Sequence, residues 1–347
     1  MPETIRLVLP AHRIVHILLL GLISLVLSML ITPIYTKYAY KHEWWKRQRT
    51  ESWSGGKASV YMKLHAEKHK SHIPTMAGLI FVTSITLVTL FLNLNRGQTW
   101  LPLAAMFGSG LIGLVDDLIN ISGTNAGIAG MRTKLKFFLH SAVALVGGWW
   151  FFAKLGVTSV YIPGFNNVHI GFLVIILFTF VVIATANAVN ISDGLDGLAG
   201  GLLSSSFGAY AVICIFQGKY ALAGFCITIV GALISYTWFN IFPARFLMGD
   251  AGSFALGTAL GVVALLTNTI YILPIIGIVY VGETGSVIIN RLSKKFRNGK
   301  KVFLSSPIHH HFEAIGWPET KVTMRFWLIG QIGAVTGIVL FLFRDHL

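Results

Sequence analysis

The chain has 347 residues, 54% of them hydrophobic and 12% charged, with a mean hydropathy of +0.72, so too few polar side chains are available to coat a water-soluble globule. Its only cysteines, Cys214 and Cys226, lie inside apolar runs, which excludes a disulfide framework and a cysteine-rich zinc site. The formal net charge of +14 raises the question of a nucleic-acid partner, but basic residues on a lipid-solvated chain are normally topology markers and headgroup contacts, and no nucleic acid is expected.

The apolar stretches run to about twenty residues, the length a helix needs to cross about 30 Å of hydrocarbon. Strands of a membrane barrel are half that length and alternate in polarity. The expected class is therefore all-α: a polytopic integral membrane protein with about ten transmembrane helices, built as a single transmembrane domain over 1–347. Spans are predicted near 14–34, 74–94, 99–115, 136–154, 170–187, 197–216, 220–240, 251–267, 270–290 and 326–343. Arg6 and Arg13 precede the first span, as in a signal peptide, yet no small-residue cleavage site follows before Lys37 and Lys41, so a retained helix is expected.

Alternate loops sort the charges. The segments 35–73, 116–135, 188–196, 241–250 and 291–325 take 20 of the 27 Lys and Arg residues. By the positive-inside rule this side is cytoplasmic, and an even number of spans puts both termini on the extracytoplasmic side. Of six aspartates, all but Asp345 fall at the ends of spans on this one side: Asp116, Asp117, Asp193, Asp196 and Asp250. Carboxylates at a membrane edge are costly and are retained for a cation or a proton path, so five on one face imply one site. Its walls are expected in loops 35–73, 116–135, 187–197, 240–253 and 291–325. A transporter would instead carry acids in the middle of its spans.

Along the chain, Lys70 precedes the second span and reads either as a phosphate contact or as a positive-inside anchor. Gly108 to Gly113 matches a glycine-rich dinucleotide pattern, but it lies inside an apolar span rather than after a strand, so close helix packing is its meaning. Asp116 and Asp117 follow; adjacent carboxylates on a helix diverge by about 100° and can serve two partners, or simply mark where the helix leaves lipid. The stretch Asn187 to Gly201 holds Asp193 and Asp196 three residues apart, with glycines that admit close backbone approach and without the spacing of a calcium-binding loop. In Asn240 to Ser253, Pro243 breaks the helix and Asp250 opens the next one. A helix N-cap would explain Asp250 alone; only the company of the other acids makes it a candidate metal ligand. Ser305 to Glu313 contains His309, His310 and His311 in succession. Three consecutive imidazoles do not easily face one zinc ion, and they suit phosphate oxygens better.

This inventory of carboxylates, histidines, a lysine and glycine-rich backbone, with no Walker loop, favours Mg²⁺-dependent phosphoryl transfer, because Mg²⁺ is held by one or two carboxylates plus substrate phosphates.

The motifs Val115-Asp116-Asp117, Asn187 to Gly201, Phe242-Pro243-Ala244 to Met248-Gly249-Asp250, and Pro307 to Glu313 with Gly316-Trp317-Pro318-Glu319 resemble those of the phospho-N-acetylmuramoyl-pentapeptide transferases, or translocase I. That family belongs to the polyprenyl-phosphate N-acetylhexosamine-1-phosphate transferase superfamily. The unbroken histidine triplet is similar to this branch rather than to sister enzymes that use UDP-N-acetylglucosamine. The resemblance covers about Lys70 to the last span. It implies a ten-helix fold, a homodimer, and attack of undecaprenyl phosphate on the β-phosphate of UDP-MurNAc-pentapeptide. UMP and lipid I would form for peptidoglycan synthesis, at the cytoplasmic face of a bacterial inner membrane.

Carried over by the resemblance, Asp250 would hold Mg²⁺, Asp116 would act as base or acceptor-activating acid with Asp117 beside it, and His309 and His310 would join them as catalytic residues. Asn187, Asn190, Asp193, Gly194, Leu195, Asp196, Asn240 and Leu247 would line the nucleotide pocket, Lys70 would contact phosphate, and His311 and Glu283 would support them. The chain departs from the family pattern at Asn120, where a lysine is usual, at His72-Ile73, usually Gly-Thr, and at Leu247, usually a phenylalanine able to stack on uracil. The rival readings are a sister transferase acting on UDP-N-acetylglucosamine and a cation-coupled transporter.

Overall fold

The computed structural model describes residues 10–45, 72–122 and 130–344. Lys70 and most of the predicted loop 35–73, with residues 123–129 of loop 116–135, lie outside the described residues. In chain order the helices are α1 (Ala11–Lys41), α2 (Gly78–Leu92), α3 (Trp100–Ser122), α4 (Thr133–Ala153), α5 (Leu173–Ser192), α6 (Leu198–Phe216), α7 (Tyr220–Asn240), α8 (Gly249–Leu266), α9 (Leu273–Ile276), α10 (Ile278–Phe296), α11 (Ile308–Ala314) and α12 (Glu319–Leu342). Among the described residues eight of these, α1, α3 to α8 and α12, are long and apolar enough to cross a membrane. A backbone in hydrocarbon must satisfy its own polar groups, and helices do this within one segment.

Three features differ from the sequence reading. The class is mostly helical rather than wholly so: β1 (Ser159–Ile162) and β2 (Asn166–His169) form an antiparallel hairpin between α4 and α5, with Ser159 opposite His169. Asn268 fastens it, accepting from the Tyr161 N–H at 2.9 Å and donating to Asn167 at 3.0 Å. The second span is a helix of only 15 residues, α2, because Thr75 to Ala77 are used in loop pairing. The segment 270–290 is divided at Gly277 into the one-turn α9 and the longer α10. Glu283, Ser286, Asn290 and Ser293 recur at helical spacing along the buried face of α10, while Ile288, Ile289, Leu292 and Phe296 face outward. An apolar face outside and a polar face inside is the arrangement lipid favours.

At the centre stands α8, 94% buried over its span. Gly249, Ala251, Gly252, Ser253, Ala255, Gly257, Thr258, Ala259 and Gly261 make it slim enough for α3 and α5 to pack closely on either side. At Gly113 of α3 the approach is closest: a Cβ there would collide with the carbonyl of Asp250, so only glycine permits this crossing. Two cores meet on α8. One joins α1, α2, α6, α7, α10 and α12, and the other joins α3, α4 and α5. Leu18, Leu22, Val26 and Leu30 of α1 and Leu328, Ile332 and Val335 of α12 face outward, as a lipid-solvated protein requires. Cys214 and Cys226 are both free and buried.

At 31 residues, α1 is about 46 Å long, more than the hydrocarbon needs, and its last turns reach the loops at one end of the bundle. There the Tyr35 hydroxyl donates to the Thr75 carbonyl at 2.5 Å and the Tyr40 hydroxyl to that of Arg245 at 3.2 Å. Leu247 and Met248 pair with the chain at Pro74 to Gly78. This end of the bundle also gathers the C-terminal turns of α3 and α5 and the N-terminal turns of α4, α8 and α12.

Candidate active site

The helix α3 runs on to Ser122, seven residues past the predicted end of its span, and its last turns carry Asp116, Asp117 and Asn120, all buried. Asp116 and Asp117 diverge as neighbours on a helix must. The Oδ1 of Asp116 accepts from the Met131 N–H at 2.5 Å and its Oδ2 from the Lys136 ammonium at 2.9 Å. Asp117 turns to α8, where its Oδ2 accepts from the Ala251 N–H at 3.0 Å, one of the N–H groups that the first turn of a helix leaves unsatisfied.

Asp250, also buried, lies in that first turn, and the Lys136 ammonium binds its Oδ2 as well as Asp116. The same ammonium stands 4.4 Å from the ring centroid of Phe254, one turn further along α8. His140, one turn after Lys136, stacks on that ring at 4.2 Å. From α5, the Asn190 amide donates to Asp250 Oδ1 at 3.3 Å and to Ser253 Oγ at 2.9 Å. Four helices thus converge on a cluster of three carboxylates, one ammonium and one amide.

A second cluster sits on the neighbouring segment. One helical turn beyond Asn190, Gly194 faces His309, and a Cβ on Gly194 would overlap His309 Nε2. His309 is fully buried on α11, and its Nδ1 lies 2.9 Å from Glu283 Oε2 of α10, itself fully buried. A carboxylate behind Nδ1 holds that nitrogen as the donor and leaves Nε2 as the ring atom turned to Gly194. Among the described residues, Nε2 finds no hydrogen-bond partner. His310 pairs differently, through Nδ1 to Glu313 Oε2 at 2.6 Å, and the more exposed His311 accepts from the Leu304 N–H at 3.3 Å. Phe312 stacks on Trp317 at 4.7 Å and fixes α11 against the start of α12.

Three of the remaining sequence candidates, Asp196, Asn240 and Asn187, bond to backbone. The Asp196 carboxylate accepts from the Ala244 N–H at 3.0 Å, while its own N–H donates to Glu319 at 2.7 Å. Asn240 accepts from the Gly197 N–H at 2.9 Å and donates to the Phe246 carbonyl at 2.8 Å. Asn187 donates to Ile183 of its own helix at 2.8 Å. Asp193 ends α5, half-buried between the two clusters, with Leu195 buried beside it. Leu247 is half-buried in the loop paired with Pro74. Lys70 lies outside the described residues.

The model of glycosyl transferase family 4 matches residues 99–268, from the start of α3 through α8 and so across Asp116 to Asp250. A phospho-N-acetylmuramoyl-pentapeptide transferase of Chloroflexus aggregans is 36% identical over 336 residues, covering 93% of this chain and 89% of that relative. Enzymes of the same name from Geobacillus sp. (strain WCH70) and Lactobacillus helveticus are each 36% identical, over 91% and 90% of this chain and 95% and 94% of their own. The chain belongs to the phospho-N-acetylmuramoyl-pentapeptide transferases. It is thus a multi-span membrane transferase of peptidoglycan synthesis.

Within this transferase, two residues central to the geometry escaped the sequence reading. Lys136 occupies the first position of an apolar span, where a cation reads as an anchor. The available signal was its spacing of four from His140, which puts both on one face of α4. The reading also registered a missing cation after the paired acids, at Asn120; in the fold the ammonium beside those acids comes from α4. Glu319, read only as part of a motif, fastens the Asp193 to Gly197 turn.

Among the described residues, no three His, Cys, Asp or Glu side chains converge as a metal cage. Asp116 and Asp250 share Lys136 and form a donor pair instead. Two carboxylates fit Mg²⁺, which takes one or two from protein and completes its shell with water and substrate phosphates.

Proposed function

We propose that the cluster of Asp116, Lys136 and Asp250 transfers phospho-MurNAc-pentapeptide from UDP-MurNAc-pentapeptide to undecaprenyl phosphate, giving lipid I and UMP. The observation that carries this is one ammonium clasped by two buried carboxylates from different helices at one end of a lipid-solvated bundle. Asp250 and Asp116 would hold Mg²⁺, which when bound offsets phosphate charge and polarises the phosphorus under attack.

The protein's own groups do the rest. Two carboxylates clasp one ammonium, with Asp117 beside them and bonded to the first turn of α8, an excess of acids over cations suited to receiving a cation together with an anionic diphosphate. Lys136 can exchange a carboxylate for a phosphate oxygen as a point charge. Asp116, beside it, is the acid that orients or deprotonates the acceptor phosphate. Asn190 keeps Asp250 aimed at the cluster through its two hydrogen bonds. Asp193, Gly194 and Leu195, with Leu247, His310 and His311, form the nucleotide side, His309 Nε2 offers a hydrogen-bonding nitrogen there, and Lys70 is assigned to phosphate from its motif alone. The loops carrying these groups face the cytoplasm of a bacterial cell, both termini lie outside, and the protein works as a homodimer of single-domain chains.

Purified protein given undecaprenyl phosphate with either UDP-MurNAc-pentapeptide or UDP-N-acetylglucosamine tests the reading. UMP release with the first donor is expected. Release only with the second would overturn the choice in favour of the sister transferases.

A further inference from the structure

The turn 193–197, which joins α5 to α6, carries Asp193, Gly194 and Leu195 of the nucleotide side. Backbone groups in such a turn must find partners in water or in side chains. At Asp196 and Gly197 all four find side chains. The Asp196 N–H donates to Glu319 Oε1 at 2.7 Å, and the Asp196 carbonyl accepts from the Thr323 hydroxyl at 3.2 Å. The Gly197 carbonyl accepts from the Trp327 indole N–H at 3.1 Å, and the Gly197 N–H donates to Asn240 at 2.9 Å. Glu319, Thr323 and Trp327 stand four residues apart, so one face of α12 supplies three of the four partners. The contact is close. Thr323 is buried, and a Cβ on Gly201, in the first turn of α6, would overlap the Trp327 ring. Elsewhere on α12, Lys321 and Arg325 stand 4.7 and 4.4 Å from the centroid of Trp317, the ring that stacks on Phe312 of α11. The start of α12 therefore grips both the turn and the histidine helix, at the place where Gly194 meets His309.

We propose that Glu319, Thr323 and Trp327 are positioning residues that set donor affinity through this turn, on the reading above that the turn carries the nucleotide side. A turn already held in its bound shape loses little freedom when the nucleotide arrives, and a loosened one must be ordered at the expense of affinity. Rigid support behind the contacting residues is what keeps a binding site in register. Asp116, Lys136 and Asp250 stand on α3, α4 and α8, which α12 does not hold through these bonds. Loosening the clasp therefore weakens donor binding and leaves the chemical step intact.

The test compares Thr323→Val, which keeps the shape and removes the hydroxyl, with Thr323→Ser, which keeps the hydroxyl, and with Trp327→Phe, which keeps a ring and removes the N–H. Full-length protein in detergent is titrated with UMP, and amide hydrogen exchange of segment 193–198 is followed by mass spectrometry. Thr323→Val and Trp327→Phe should each weaken UMP binding about fivefold, the usual worth of one hydrogen bond, and should speed exchange in the turn. In turnover the donor KM should rise by the same factor with kcat unchanged. Thr323→Ser should behave as wild type, and the threonine pair decides the matter if the tryptophan variant folds poorly. Unaltered exchange would overturn the clasp. Faster exchange with unaltered UMP affinity, an equal loss in Thr323→Ser, or a fall in kcat with donor KM unchanged would overturn its role in binding. A wild type that binds no UMP, or an Asp193→Asn variant that binds it undiminished, would take the nucleotide away from the turn altogether, and the proposal with it.

Discussion

The Lys136 ammonium is the residue on which the geometry of the acids turns. Without it, Asp116 and Asp250 would lose the cation they share and keep only neutral donors, the Met131 N–H and the Asn190 amide, among the contacts described. Lys136→Met keeps an unbranched apolar side chain and removes the charge that stands over the Phe254 ring. Turnover of the purified enzyme is expected to fall by about two orders of magnitude, the usual cost of losing one preorganised charge contact to a transferring phosphoryl group. A steady-state rate assay with the protein's unfolding temperature measured alongside checks this; an unchanged rate would remove Lys136 from the site. At the histidine cluster, Gly194→Ala sets a methyl against His309 Nε2. It should raise KM for the nucleotide donor more than it lowers kcat, since it displaces a group assigned to binding. The acids were legible in the sequence because carboxylates at span ends are rare. Lys136 was not, because a lysine at the start of a span has an ordinary explanation, and only the tertiary fold brings it between two helices.

Among the elements, α8 sets the position of everything else. Its small residues let α3 and α5 approach, and Gly113 brings the Asp116 turn against the Asp250 turn. Gly113→Val would force these backbones apart. A loss of about 3 kcal/mol is expected, near the upper range for overpacking because a carbonyl rather than a flexible side chain is in the way. Thermal unfolding in detergent reads that loss, and activity should fall with it. Long apolar runs made most helices legible as spans. The α9–α10 segment was harder: its apolar start suggests one continuous helix, whereas Gly277 breaks it and the polar stripe from Glu283 to Ser293 faces inward. A polar stripe lowers mean hydropathy whichever way it faces. The short hairpin after α4 carries no strong alternation, and its hold on Asn268, about a hundred residues on, has no local signal.

For the molecule as a whole, the site occupies one end of a bundle whose outer surface is apolar, so an insoluble lipid acceptor and a soluble nucleotide can meet at the membrane boundary. The proposed sidedness rests on the loop charges and can be measured directly. Both native cysteines are buried, so a cysteine introduced at Asn298 or at Gly164 reports alone. The first should react with an impermeant maleimide only in inside-out vesicles and the second only in right-side-out ones; the reverse pattern would invert the orientation. The most direct test of the central claim is formation of lipid-linked product by purified wild type, Asp116→Asn and Asp250→Asn, each with Mg²⁺ and with EDTA. Product is expected only from the wild type with Mg²⁺, with losses of about three orders of magnitude or more in folded variants. Full activity in EDTA, or in either variant, would contradict it.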